Sequence, residues 1–131
     1  MATVTATERE AIAAAIQLYI DGASKGDAAK LKQGFDERAW MFGSLGGQRY
    51  DVPVAQLIEL CEKQPLDSDG SFEARIISIE QVGDAAAVTL EEDGCWGGVS
   101  FTDFFTLVKI DGTWKIVNKT FGHTGGELPA S

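Results

Sequence analysis

Residues 99–124, VSFTDFFTLVKIDGTWKIVNKTFGHT, carry apolar side chains at strand spacing on both parities around a central Asp111-Gly112. The pattern predicts two long β-strands joined by a tight turn, because Asp-Gly supplies the positive φ that a two-residue hairpin needs. Phe, Thr, Val, Ile and Trp on both flanks suit a pleated, half-buried surface. Phe104, Val108 and Ile110 fall on one face of the first strand, Phe105 and Leu107 on the other. Beyond the turn, simple alternation sets Trp114 and Ile116 opposite Val117 and Phe121. Strands apolar on both faces are covered on both faces, by helices on one side and by a further layer or a partner subunit on the other.

The rest of the chain supplies the cover. Thr7 and Glu10 have the spacing of a capping box, ahead of a helix to about residue 24 with Ile12, Ile16, Tyr19, Ile20 and Ala23 on one face. Gly26 suits a helix end, and Asp27 suits the cap of a short helix to about residue 33 that points Leu31 inward. Residues 35–42 predict a short strand, 43–47 a loop and 48–52 a second short strand. Pro53 opens a helix whose buried stripe is Val54, Leu57, Ile58 and Cys61, and Pro65 stops it. Residues 72–82 and 85–92 then read as strands turning at Gly83-Asp84. The apolar parity switches between Ile76 and Ile77, which predicts a β-bulge or a doubly buried strand. GCWGG at 94–98 holds a further turn or bulge without a defined place. Helices gathered ahead of a meander of four long strands predict an α+β domain: three N-terminal helices on a curved, mostly antiparallel sheet, a cone-shaped barrel with room for a small molecule inside.

Composition narrows the function classes. A chain of 131 residues fits one domain over 1–131, with a core of about 7–124 and loose tails. The net charge of −9 argues against nucleic acid and anionic membrane surfaces as partners. No apolar run approaches the ~18 residues of a membrane span. The N-terminal MATVTATERE has neither the basic nor the apolar region of a signal peptide, so a cytoplasmic location is expected. Without a secretion signal, Cys61 and Cys95 are more often two reduced thiols than a disulfide.

Three stretches carry a resemblance: residues 19–35 (YIDGASKGDAAKLKQGF), 72–90, and 101–121 (FTDFFTLVKIDGTWKIVNKTF). With them the chain resembles the nuclear transport factor 2 superfamily, with its cystatin-like fold, and within it the lumazine-binding or polyketide-cyclase-like branch. The Gly26-Asp27 pair and the Asp-Gly-x-Trp-Lys-Ile hairpin mark the fold and say little about function. Proteins similar to this one include isomerases, dehydratases, cyclases and transport factors, usually homodimers meeting through the outer sheet face. Function therefore has to be argued from the site.

Tyr19 stands at the spacing from Gly26-Asp27 at which similar ketosteroid isomerases place a tyrosine that donates to a substrate oxyanion. The alternative is a core aromatic whose hydroxyl finds one partner. The general base of those isomerases does not carry over, because its position falls on Gly43, so steroid isomerisation by that route is not expected. Asp103 sits among apolar residues and is an acid or base if buried, a solvated carboxylate if not. His123, the single histidine, is expected near the mouth of the cone, where similar dehydratases use late-strand histidines. By parity Lys119 shares a face with Val117, Phe121 and His123, and it offers a cation if that face lines the pocket. Trp40, Phe42, Trp96, Phe104 and Phe121 are candidate walls for a flat ligand, or plain core. One histidine without H-x-x-E-H spacing gives no metal signature, and there is no phosphate loop, nucleophile elbow or C-x-x-C. The sequence thus predicts a cofactor-free homodimer with a pocket for a small hydrophobic or planar ligand. It acts as a lyase or isomerase through Tyr19 with Asp103 or His123, or else as a non-catalytic ligand-binding or protein-interaction module.

Overall fold

The apolar stripe from Ile12 to Ala23 makes the first helix, and it packs inward on the sheet. In the computed structural model, which describes residues 6–127, α1 spans Ala6–Lys25. Ile12, Ile16, Tyr19 and Ala23 are buried along it, and Ile20 is half-buried. Thr7 lies inside the first turn, so it is not the cap that the Thr7–Glu10 spacing suggested. The expectation of loose tails falls largely outside the described residues. Asp27 caps α2 (Ala28–Gly34) as expected, its carboxylate accepting from the Lys30 backbone N–H at 3.2 Å, and Leu31 is fully buried.

β1 (Phe35–Leu45) turns at Gly46-Gly47 into β2 (Gln48–Pro53). The strand is longer than expected. Gly43 is a paired strand residue, opposite Tyr50 on one side and Phe121 on the other, and not part of a loop. Pro53 caps α3 (Val54–Lys63), which buries Val54, Leu57, Ile58 and Cys61. β3 (Glu73–Val82), β4 (Ala85–Cys95), β5 (Val99–Ile110) and β6 (Thr113–Gly125) form the meander. The Asp111-Gly112 turn has φ of 50° and 80°, as the hairpin reading requires.

The six strands form one curved sheet in the order β2-β1-β6-β5-β4-β3. Only β1 and β6 pair in parallel. The helices pack on the inner face, and the sheet stays open, so the cone is not a closed barrel.

Two bulges set which residues look inward. Ile77 is skipped in the β3–β4 register, as the parity switch suggested. In β6, Ile116 pairs with Leu107 and Asn118 with Thr106, which leaves Val117 without a partner. That extra residue overturns the alternation read from sequence. Trp114 and Ile116 share the inner face with Lys119 and Phe121, while Val117 leaves the row. The GCWGG stretch resolves into the end of β4 and a tight turn, with the Gly97 and Gly98 N–H groups donating to the Gly94 and Cys95 carbonyls.

Candidate functional site

Cross-strand register on the inner face builds the site. One row runs Met41, Lys119, Phe105, Val88 across β1, β6, β5 and β4. The next runs Gly43, Phe121, Asp103, Leu90, and beyond it Phe101 pairs with Glu92 and His123. Tyr19 reaches this patch from α1, its ring 5.0 Å from that of Phe105 and edge-on to Phe35. Three strands thus bring an aspartate (β5), a glutamate (β4) and a lysine (β6) under one helical tyrosine.

All four polar groups are buried: Asp103 is 0 % exposed, Glu92 1 %, Tyr19 2 % and Lys119 6 %. The Tyr19 hydroxyl donates to both Glu92 oxygens, at 3.0 and 3.2 Å. Lys119 Nζ lies 3.6 Å from Asp103 Oδ1 and 3.8 Å from the Met41 sulfur. It also lies 4.9 Å from the centre of the Phe121 ring and 5.6 Å from that of Tyr19. Neither Asp103 oxygen accepts a conventional hydrogen bond, although both are buried. Two neighbouring carboxyl groups can bond only if one carries a proton. Burial first, then the Asp103 charge and a hydrogen bond to it, push the Glu92 carboxyl well above the usual carboxylate range. Glu92 therefore holds a proton more tightly than an ordinary carboxyl does, and Asp103 faces the Lys119 ammonium. Burial, then the nearby Glu92 and Asp103 charges, push the Tyr19 hydroxyl upward as well, so it remains a donor.

The cluster forms the floor of a cavity of about 950 Å3 that Tyr19, Glu92 and Lys119 line. Leu57 and Leu60 of α3, Leu45, Tyr50, Trp96, Phe101 and Phe121 make mostly apolar walls, and Lys63, Asp67 and Ser68 lie at the rim. The volume falls within the ~300–1,000 Å3 of small-molecule sites. Trp96 fastens one wall: its N–H donates to the Leu66 carbonyl at 2.8 Å and its indole N–H to the Gln64 carbonyl at 3.0 Å. Cys61 also lines the cavity, its thiol pushed up to about 12 by burial. Among the described residues, no three His, Cys, Asp or Glu side chains are grouped to hold a metal ion.

Of the residues singled out in the sequence, the structure brings Tyr19, Asp103, Lys119, Trp96 and Phe121 to this cavity or directly beneath it. His123 is exposed beyond it, its Nε2 2.9 and 2.7 Å from the Gly125 and Gly126 carbonyls, beside a small open groove shared with Ser44 and Arg49. Trp40 (44 % exposed), Phe42 and Phe104 (58 % exposed) lie on the outer face, because strand parity turns them away from Met41, Gly43 and Asp103. They are not cavity walls. Glu92 is the residue that sequence reading missed. Ala86, Val88 and Leu90 make an alternating apolar row in β4, and Glu92 continues it. A carboxylate on an apolar parity was the available signal.

A helix-backed, curved open sheet with a cavity under its first helix is the nuclear transport factor 2-like, cystatin-like fold. Within it, the chain belongs to the family described as "Putative lumazine-binding", whose profile matches residues 7–122. An NTF2-like protein of unknown function from Shewanella baltica is 27 % identical, with a TM-score of 0.84 over 95 % of this chain and 100 % of that one. A counterpart from Methylobacillus flagellatus is also 27 % identical, with a TM-score of 0.84 over 94 % and 97 %. Among characterised proteins, the chain is 27 % identical over 118 residues to the aldolase FrzH of a Cladobotryum species, covering 90 % of this chain and 93 % of that protein.

Proposed function

We propose that the protein binds a small, mostly apolar or planar molecule in this cavity and acts on it as a cofactor-independent lyase or isomerase by acid–base chemistry. The observation that carries the reading is the buried cluster of Glu92, Asp103 and Lys119, with Tyr19 donating to Glu92, at the floor of an apolar cavity. A carboxyl whose proton is held more tightly by burial can both give and accept a proton in the working range of an enzyme. Glu92 lines the cavity and is the acid–base group. Tyr19 spends its hydroxyl on Glu92, so it orients that carboxyl and is not a free oxyanion donor. His123 lies apart and takes no role. The likeness to a protein named an aldolase supports carbon–carbon lyase chemistry within this class.

Titration of 15N-labelled protein with a panel of flat fragments, lumazine among them, tests the reading. The expected result is saturable shifts at the amides of Trp96, Phe101 and Phe121. Shifts absent for every fragment, or confined to the outer face around Phe104, would sink it.

The outer face supports a second proposal, a homodimer. Trp40, Ile77, Phe104 and Val108 are exposed large apolar residues on that side of the fold, more than scattered singles on a monomer require. Two free, buried cysteines fit a reducing, cytoplasmic location.

A further inference from the structure

The Lys119 ammonium carries three N–H donors, but among the described residues it makes no hydrogen bond to an oxygen: Asp103 Oδ1 lies 3.6 Å away, beyond hydrogen-bond length, and a thioether sulfur lies at 3.8 Å. The side chain is more than nine-tenths buried and lines the cavity. A buried ammonium is thus paired in charge yet has donors to give to an oxygen that enters from the cavity.

The charge count decides which oxygen. The floor sets two buried carboxyl groups, Glu92 and Asp103, beside one ammonium, Lys119, and Asp103 is its ion-pair partner. A ligand carboxylate at Lys119 would set two anions around one cation in a dry site, a net buried charge that is costly. A neutral carbonyl oxygen adds none. We propose that the substrate is a neutral, enolisable aldehyde or ketone whose oxygen accepts from Lys119 while its α-proton passes to Glu92 and the Glu92 proton passes on to Asp103. This deepens the acid–base reading above and rests on it.

The step balances. The α C–H bond breaks, its electron pair moves into the C–C bond, and the carbonyl π pair moves to oxygen, forming an enolate. Glu92 gains the α-proton on the oxygen facing the cavity and releases its own proton to Asp103, so Glu92 stays neutral and Asp103 becomes neutral. Lys119 loses its partner anion at Asp103 as the enolate anion forms beside it. The floor is net neutral before and after, with one cation and one anion at each stage. A charge that only changes place within a preorganised site needs little reorganisation. Asp103, fully buried behind Glu92, never touches substrate and is a positioning residue that stores the proton.

The test uses the full chain with a matched pair of probes, 2-acetylnaphthalene and 2-naphthoate, and a small panel of other methyl ketones. The expected result is that ketones bind more than about tenfold tighter than the carboxylate at pH 7. In D2O they exchange their α-protons, followed by NMR. Glu92→Gln keeps ketone binding, since the amide still accepts from Tyr19 and donates to Asp103, but slows exchange by at least about 100-fold. Asp103→Asn slows exchange and removes the pH dependence that the stored proton gives. Naphthoate binding as tightly as the ketones in a Lys119-dependent way would overturn the inference and leave the cavity reading standing. So would ketone binding with no exchange across the panel. A borohydride-trapped adduct on Lys119 would overturn it in favour of a covalent imine. Failure of ketones, carboxylate and flat fragments alike to bind overturns this inference and the cavity reading together.

Discussion

Lys119 Nζ and Asp103 Oδ1 stand 3.6 Å apart with both side chains buried, and among the described residues they form one ion pair at the cavity floor. Removing one partner of such a pair strands a charge in a dry site. Asp103→Asn is expected to destabilise the fold by about 3–5 kcal/mol. Replacing both, Asp103→Asn with Lys119→Met, leaves no uncompensated charge and should recover a large part of that loss. Urea unfolding of the two single variants and the double variant measures the coupling. Additive losses would show that the two charges do not depend on each other.

The proton on Glu92 gives stability a pH signature. Its carboxyl titrates well above 4.5 in the folded state because of burial and then the Asp103 charge. Folded protein therefore binds this proton more tightly than unfolded chain does. The contribution is fully present below about 4.5 and is lost as pH rises from there through the raised folded value. Glu92→Gln keeps the hydrogen bonds and cannot ionise, so the variant should gain stability relative to the parent as pH rises. Glu8, Asp36, Glu59, Asp69 and Asp93 are shifted the other way by their partners, but they are common to both proteins and cancel in the difference. A pH-independent gap between the two melting curves would contradict a proton held on Glu92.

These two carboxyl groups also mark how far sequence alone reaches. The element order followed from apolar spacing and turn residues, since Asp111-Gly112, Asp27 and Pro53 act locally. Asp103 was legible as a carboxylate among phenylalanines, but its direction was not, because both parities of β5 are apolar. Lys119 was assigned to the face of Val117, and one unpaired residue at Val117 moved it and Phe121 to the inner face. A bulge is a property of pairing between distant strands, so the spacing within β6 could not show it. Trp40 and Phe104 read as pocket aromatics because aromatic character says nothing about which face is inside.

Gly43 holds the aromatic side of the site in place. A Cβ at this position would lie 2.6 Å from two carbons of the Phe121 ring, closer than side chains approach. That ring packs edge-on to Phe101 at 5.7 Å and lies beneath the Lys119 ammonium. Gly43→Ala should therefore cost about 1–3 kcal/mol by overpacking. It should also move the NMR resonances of Phe101 and Phe121. Unchanged stability with unmoved ring resonances would mean that the Phe121 ring has free space behind it.

Cys61 lines the cavity, yet its thiol should be inert. With burial pushing it up to about 12, only roughly one part in ten thousand is thiolate at pH 8. Cys95 is fully buried and pushed up further, again by burial first. Native protein treated with iodoacetamide at pH 8 is expected to stay unlabelled over the time in which unfolded chain takes two adducts, read by intact mass. Fast single labelling of native protein at Cys61 would show that the floor of the cavity is wetter than its burial implies.

The outer sheet face makes the last prediction. Phe42, Thr120, Phe104 and Thr89 form one cross-strand row there, and the Trp40 ring stacks on that of Phe42 at 6.1 Å. Threonines between aromatics present a flat surface with few charges, and Phe104 stands 58 % exposed at its centre. If two copies meet through this face, Phe104 of each is buried in the pair. Phe104→Glu then places a carboxylate in an apolar contact and should shift the protein from dimer to monomer in sedimentation velocity. Its far-UV spectrum should stay unchanged, because the inner face does not use Phe104. Since the cavity lies on the opposite side of the sheet, ligand shifts at Trp96 and Phe101 should survive the substitution. A parent protein that sediments as a monomer would remove the homodimer proposal and leave the cavity chemistry untouched. A dimer that persists in Phe104→Glu would place the contact elsewhere on the surface.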